Sequence, residues 1–191
     1  INNVQFYTNE LKRLKTYSFQ HLSDLNKIDY KIIENELQKR IWEITVLKDY
    51  EWNPALYNIG ETFSIFFTEN RTSLKKTIDL FYTKLKNVPA YYEAAKKNIK
   101  NPSNEYLQLA IEQNEGTISI FANDYADSVK ALHYYPEHEE QLLKSGREAV
   151  AAIKSYIQYL KDLKNDNPRS FRLGSELYAD KFKYDIQSQY T

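Results

Sequence analysis

Apolar residues recur along nearly the whole chain at intervals of three and four, the spacing that lines one face of an α-helix. Val4, Tyr7, Leu11 and Leu14 open one stripe. Leu25, Ile28, Ile32, Leu37, Ile41, Ile44 and Leu47 form a second, with Ser23 or Asp24 placed to cap its start. Asn53-Pro54 interrupts the pattern, because proline disfavours helical geometry in the residue before it. A short helix is expected from about Ala55 to Glu69, carrying Leu56, Ile59, Phe63 and Phe66 or Phe67. The next stripe, Leu74, Ile78, Phe81, Leu85 and Val88, is expected to end at Pro89.

Ala90 to Lys100 reads as a short amphipathic helix, and Ser103, just after Asn101-Pro102, can cap the one that follows. That following stripe is the clearest: Leu107, Ile111, Asn114, Ile118, Phe121, Tyr125, Val129 and Leu132, a rod of roughly 40 Å closed by Pro136. Leu143, Gly146, Val150, Ile153, Ile157 and Leu160 mark another long helix, which stops at the turn-rich Asn165-Asp166-Asn167-Pro168. A last helix begins near Leu173 or Gly174 and reaches Gln187. No segment alternates polar and apolar residues long enough to make a strand. The expectation is an all-α fold: an antiparallel array of roughly seven to eight helices, several long, with no sheet. Residues 1–191 are read as a single helical unit.

Composition narrows the function classes. Among 191 residues, 26 basic side chains balance 26 acidic ones, so the cationic surplus of a nucleic-acid binder is missing and no nucleic-acid partner is expected. No window is long and apolar enough for a transmembrane segment. There is no Cys, which excludes disulfides and thiolate metal sites. There is no Met either, so Ile1 is not expected to be a translation start, and any signal or lipid-anchor segment is expected upstream of it.

Candidate chemistry is sparse. His133, Glu137, His138, Glu139 and Glu140 have metal-ligand residue types, but the two imidazoles are five apart with Pro136 between them. A helical zinc site needs them four apart on one face, so the reading is a solvated turn with acidic residues in the first turn of the next helix. No Gly-x-Ser-x-Gly elbow and no phosphate-cradling glycine loop is present. The 17 Tyr are read mainly as core, with Tyr91-Tyr92 and Tyr134-Tyr135 as the pairs able to line a groove. Asn114 interrupts the cleanest apolar stripe, where a buried amide needs partners; contact with a substrate is its second reading. Gly116 and Gly146 fall within helical patterns and are read as points of close helix–helix approach.

Several of these features together resemble a known family. Trp52-Asn53-Pro54 with Tyr57 resembles an early motif of the bacterial domain of unknown function 885 family, as do Arg71 with Leu74 and Leu85, and Asn87-Val88-Pro89-Ala90. Ala94 to Pro102 and Ala110 to Gly116 continue the match. Phe171-Arg172-Leu173-Gly174-Ser175-Glu176-Leu177-Tyr178, with Thr191 at the end, is similar to the family's mid-chain signature. Each motif alone is loose; their order and spacing are specific from about Trp52 to Thr191.

The resemblance implies a mostly helical, exported protein, periplasmic or lipid-anchored, of which these residues are the N-terminal part. It implies that the downstream half carries a His-Glu-x-x-Pro-Gly-His type motif, similar to the zinc helix of metallopeptidases, so zinc is a cofactor expected of the full-length protein and not of this segment. On that reading the segment has no catalytic or metal-binding residue. It forms a cleft wall or lid, with the downstream half of the same chain as its partner and a peptide as substrate. Arg172, Glu176, Tyr178 and Asn114 are the substrate-cleft candidates: Arg172 for a substrate carboxylate, or for an ion pair with Glu176 four residues on. Trp52, Asn53, Pro54 and Gly174 are the structural positions, Asn53 bracing the Asn-Pro turn and Gly174 allowing a tight helix start. The alternatives are a helical binding module that recognises a peptide, protein or glycan through Tyr-rich grooves, and a packing scaffold without a ligand. A segment severed from a larger fold is expected to expose an apolar face.

Overall fold

The computed structural model describes residues 3–69 and 72–187, so Arg71 and Thr191 lie outside the described residues. No described residue lies in a strand, and the fold is all-α. In chain order the helices are α1 (Asn3–Leu14), α2 (Asp24–Trp42), α3 (Asp49–Trp52), α4 (Gly60–Thr68), α5 (Leu74–Leu85), α6 (Val88–Asn98), α7 (Asn104–Ser119), α8 (Tyr125–Ala131), α9 (Pro136–Asp162) and α10 (Ser175–Ile186). A π turn at Glu43–Leu47 prolongs α2, and another at Ile120–Asp124 joins α7 to α8 without a break. With α3 a single turn, the described residues form eight substantial rods.

Serines begin three of these helices. Oγ of Ser23, Ser73 and Ser103 accepts the backbone N–H of Asn26, Lys76 and Tyr106, at 3.3, 3.4 and 3.2 Å, filling one of the open donors of each first turn. Three boundaries differ from the sequence expectation. The helix expected from Ala55 to Glu69 splits into a 3₁₀ turn, Pro54–Tyr57, and α4. Asn58 separates them in an extended conformation, its Oδ1 accepting the Gly60 N–H at 2.9 Å. Pro89 and Pro136 do not end helices: they sit in the first turns of α6 and α9, where a missing N–H leaves no bond unmade. The preceding helices stop earlier, at Leu85 and Ala131, and Val88 belongs to α6.

Residues 1–191, expected as one helical unit, gather into two compact units: Ile1–Asp49 with Arg172–Thr191, and Tyr50–Phe171. The second holds most of the core. Within it α9 runs antiparallel to the α7–α8 rod, as the pairs Leu142–Tyr125, Gly146–Phe121 and Lys161–Glu115 record. Phe81 stacks on Tyr125 at 4.6 Å between ring centres, and Phe63 meets Phe81 and Phe121 edge-on at 4.7 and 4.9 Å. The first unit is an α1–α2 hairpin with α10 laid along α2. Trp42 is its anchor, donating from Nε1 to Asp180 at 3.3 Å and packing on Tyr184 at 5.5 Å. Asn35 Nδ2 donates to the Tyr184 carbonyl at 3.0 Å, and Lys39 pairs with Asp185 at 2.6 Å. Lys39 and Lys181 together hold the Asp185 carboxyl below its ordinary range, Lys181 contributing most.

The two helical glycines have different causes. A Cβ at Gly146 would stand 3.1 Å from the Tyr125 ring and 3.5 Å from the Phe121 carbonyl, so close helix approach explains it. A Cβ at Gly116 would meet nothing within 4 Å, which corrects the expectation of close approach there. Gly116→Ala should therefore raise stability by about 1 kcal/mol through helix propensity, whereas Gly146→Ala should show no such gain. Urea midpoints of the two variants measure this; equal gains would remove the packing account of Gly146.

Candidate functional site

The signature around Gly174 builds the start of α10. Gly174 has φ +80°, a conformation that side chains disfavour, and its carbonyl accepts the Tyr178 N–H at 3.0 Å to begin the helix. Arg172, Glu176 and Tyr178 are exposed, Tyr178 at 63%. Glu176 and Tyr178 are two residues apart, so they project from different sides of α10. Tyr178 instead shares a side with Phe182, their rings 6.4 Å apart.

Asn114 belongs to the other unit and is fully buried. Its Oδ1 accepts the Tyr92 hydroxyl at 2.6 Å, and its Nδ2 donates to the Ala110 carbonyl at 2.7 Å. Both ends of the amide are thus held within the core. The Trp52-Asn53-Pro54 motif is structural in the same sense. Asn53 Oδ1 caps the 3₁₀ turn through the Ala55 N–H at 3.1 Å, and the Pro54 carbonyl accepts the Tyr156 hydroxyl at 3.1 Å. Trp52 is buried against Tyr106, with the Arg169 guanidinium 4.0 Å above its ring.

Of the tyrosines read mainly as core, Tyr57, Tyr92, Tyr125 and Tyr156 are buried, and the others described are half-buried or exposed. Tyr92, Tyr125 and Tyr156 are fully buried, and burial pushes their hydroxyl pKa values well above the ordinary tyrosine range. Each hydroxyl has a partner; that of Tyr125 donates to the Leu142 carbonyl at 3.3 Å. The pair Tyr91-Tyr92 splits, Tyr91 being 39% exposed, whereas Tyr134 and Tyr135 together line a concavity of about 480 Å³ with Lys75, Leu132, His133 and Pro136, Tyr135 being 88% exposed. The Tyr134 hydroxyl is buried with no hydrogen-bond partner among the described residues, its ring set edge-on to His138 at 4.8 Å. His133 lies in a left-handed turn, φ +48°, between α8 and α9. Glu137 and Glu139 occupy the first turn of α9, as the solvated-turn reading expects. Among the described residues no group of three His, Asp or Glu side chains is placed to hold a metal ion, and no helix is long and apolar enough to cross a membrane.

One concavity escaped the sequence reading. Between α8 and α9 an apolar groove of about 330 Å³ is floored by Ala122, Ala126 and Gly146 and rimmed by Lys130 and Arg147. Its only trace in the sequence is the pair of alanines four apart, and small residues are too common in helices to announce a groove.

The fold and these sites define an all-α chain whose recurrent polar residues cap and brace helices. The family model for bacterial proteins of unknown function, DUF885, matches residues 2–191, and the chain belongs to that family. It is similar to a solved structure described as "a putative lipoprotein of unknown function" from Shewanella oneidensis, at 33% identity and a TM-score of 0.91. The match covers 97% of this chain and 35% of that one, so the chain spans about a third of the length of that relative. No curated protein matches it.

Two measurements probe the buried hydroxyls. Tyr92→Phe removes the donor to Asn114 and leaves a buried amide oxygen unpaired, which should cost about 1–3 kcal/mol in a denaturant titration. A change below the error of the measurement would show that the bond is not a stabilising one. Because the folded chain holds Tyr92, Tyr125 and Tyr156 protonated above the pH where the unfolded chain ionises them, their contribution is fully present below pH about 10 and is lost above it, at about 1.4 kcal/mol per group per pH unit. Absorbance titration at high pH should show these hydroxyls ionising together with unfolding and not before it.

Proposed function

We propose that these residues form the N-terminal helical wall or lid of a substrate cleft in a longer, exported protein, and that they position substrate without performing chemistry alone. The observation that carries this reading is the span: near-complete coverage of this chain against about a third of its solved relative. A region that positions a peptide needs rigid helices and exposed polar ends, and the second unit, with the buried hydroxyls of Tyr92 and Tyr156 bonded across helices, offers such rigidity. The relative's description as a lipoprotein supports export or lipid anchoring for this chain too.

On this reading the downstream half of the same chain completes the cleft, and the reaction is hydrolysis of a peptide. Zinc is the cofactor the family resemblance suggests, but the described residues here do not fit it, with no group of three ligand side chains gathered. No ligand is assigned to this segment, and no step is routed through the metal. Arg172, exposed just ahead of α10, is assigned to a substrate carboxylate, which its planar fork can grip with two parallel hydrogen bonds. Tyr178 and Glu176, on different sides of α10, lie at the cleft edge in this scheme.

The test compares metal content of the full-length protein with that of the 191-residue segment. About one equivalent of zinc in the full-length protein and none in the segment is the expected result. No zinc in either, under conditions that preserve bound metal, would overturn the peptidase reading.

A further inference from the structure

The first unit carries a helix face whose apolar half nothing in the described structure covers. Leu25, Ile28, Ile32, Asn35, Lys39 and Trp42 succeed one another at intervals of three and four. At 100° per residue they fall within an arc of about 100° on α2, so they form one continuous face. α10 covers its second half through the contacts of Asn35, Lys39 and Trp42 with Tyr184, Asp185 and Asp180. The first half is open, with Leu25 69%, Ile28 58% and Ile32 53% exposed. A single exposed leucine needs no explanation, but a regular stripe continuing a half-buried interface does.

α10 runs antiparallel to α2, so its direction of travel points from Trp42 toward Ile32 and Leu25. It stops at Gln187, whose left-handed φ of +54° terminates the helix with an N–H bond to the Lys183 carbonyl. Roughly two turns of α2 therefore extend past the end of its partner. The charges flanking those turns are engaged on α2 itself, Lys27 with Asp24 at 3.2 Å and Lys31 with Glu34 at 3.0 Å. Asp29 adds one further carboxylate on these turns, and beside it what the surface offers a neighbour is apolar contact at helical spacing.

We propose that Leu25, Ile28 and Ile32 seat an amphipathic helix from the downstream part of the same chain, laid on α2 in continuation of α10. This rests on the reading of these residues as one part of a longer protein. Two observations favour that occupant over a second copy: the solved relative is nearly three times as long as the stretch it shares with this chain, and the seat extends an interface already made by the same chain. The incoming helix carries apolar residues at intervals of three and four toward α2, as the geometry of the seat requires.

Hydroxyl-radical footprinting of the full-length protein tests this, with protection taken relative to the denatured chain. Ile28 and Ile32 should be labelled at least about tenfold less than in the denatured chain, close to the protection of the core residue Ile153, because a packed interface excludes water as a core does. Ile28→Asp with Ile32→Asp should then expose Leu25 to labelling while far-UV circular dichroism stays unchanged. Open Ile28 and Ile32, with other exposed apolar residues such as Ile65 or Leu80 protected, would overturn the seat and leave the cleft reading standing. If every exposed apolar residue of the segment stayed open, both would fall. Protection that vanished on dilution from dimer to monomer would assign the seat to a second copy and overturn the proposal.

Discussion

A tyrosine hydroxyl buried without a partner is costly, and in the Tyr50–Phe171 unit three hydroxyls that avoid this cost tie the helices together. Tyr156 reaches from α9 to the Pro54 carbonyl across 102 positions of sequence, Tyr92 reaches from α6 to Asn114 on α7, and Tyr125 reaches from α8 to the Leu142 carbonyl on α9. Dispersion and burial would tolerate small slides between these rods. A hydroxyl buried without its acceptor would not, since the group loses its water and gains nothing in return. Three such bonds therefore select one register among several of similar apolar contact. The close approach at Gly146 follows from the same docking, because the Tyr125 ring occupies the space that a side chain there would fill.

The Ile1–Asp49 and Arg172–Thr191 unit is held differently. Among its described residues Trp42 and Leu47 are the buried ones, and neither α1 nor α10 buries a side chain fully. Between α2 and α10 its contacts include one indole, one amide and half-exposed ion pairs, and such pairs contribute little in water. Local stability scales with buried apolar contact, so this unit belongs at the low end of the molecule's range. An element of that kind gains order from whatever docks on it, which is why its open stripes and its thin core belong to one argument.

Much of this fold was legible in the sequence, and the failures share a cause. Helical period, serine caps and the uninterrupted rod from Asn104 onward follow from local chemistry, and the structure has them. Pro89 and Pro136 were ambiguous because proline suits both the residue after a helix and the first turn of the next. Gly116 and Gly146 occupy equivalent local patterns and differ only in what stands opposite, which no window of sequence contains. Leu25, Ile28 and Ile32 have the same spacing as core residues such as Ile153 and Ile157, yet end up exposed. Periodicity reveals that a face is apolar, and the neighbour decides whether it is buried. That Glu176 and Tyr178 face apart, by contrast, was available from their separation alone.

The residues that tie this chain to its family are, in this region, mostly architectural. Asn53 caps a turn, Pro54 lends its carbonyl to Tyr156, Trp52 packs beneath Arg169, Asn114 braces Tyr92, and Gly174 turns the chain into α10. Each holds a conformation that its neighbours in sequence would not impose, and none presents a free reactive group. Such positions can preserve a scaffold across proteins of quite different chemistry, so family membership here speaks to shape before activity. Arg172, in the same signature, is charged and exposed, one residue beyond the Tyr50–Phe171 unit, where the chain approaches α10. An exposed guanidinium within a signature otherwise built of caps and braces is the feature on which the proposed contact with a substrate carboxylate rests.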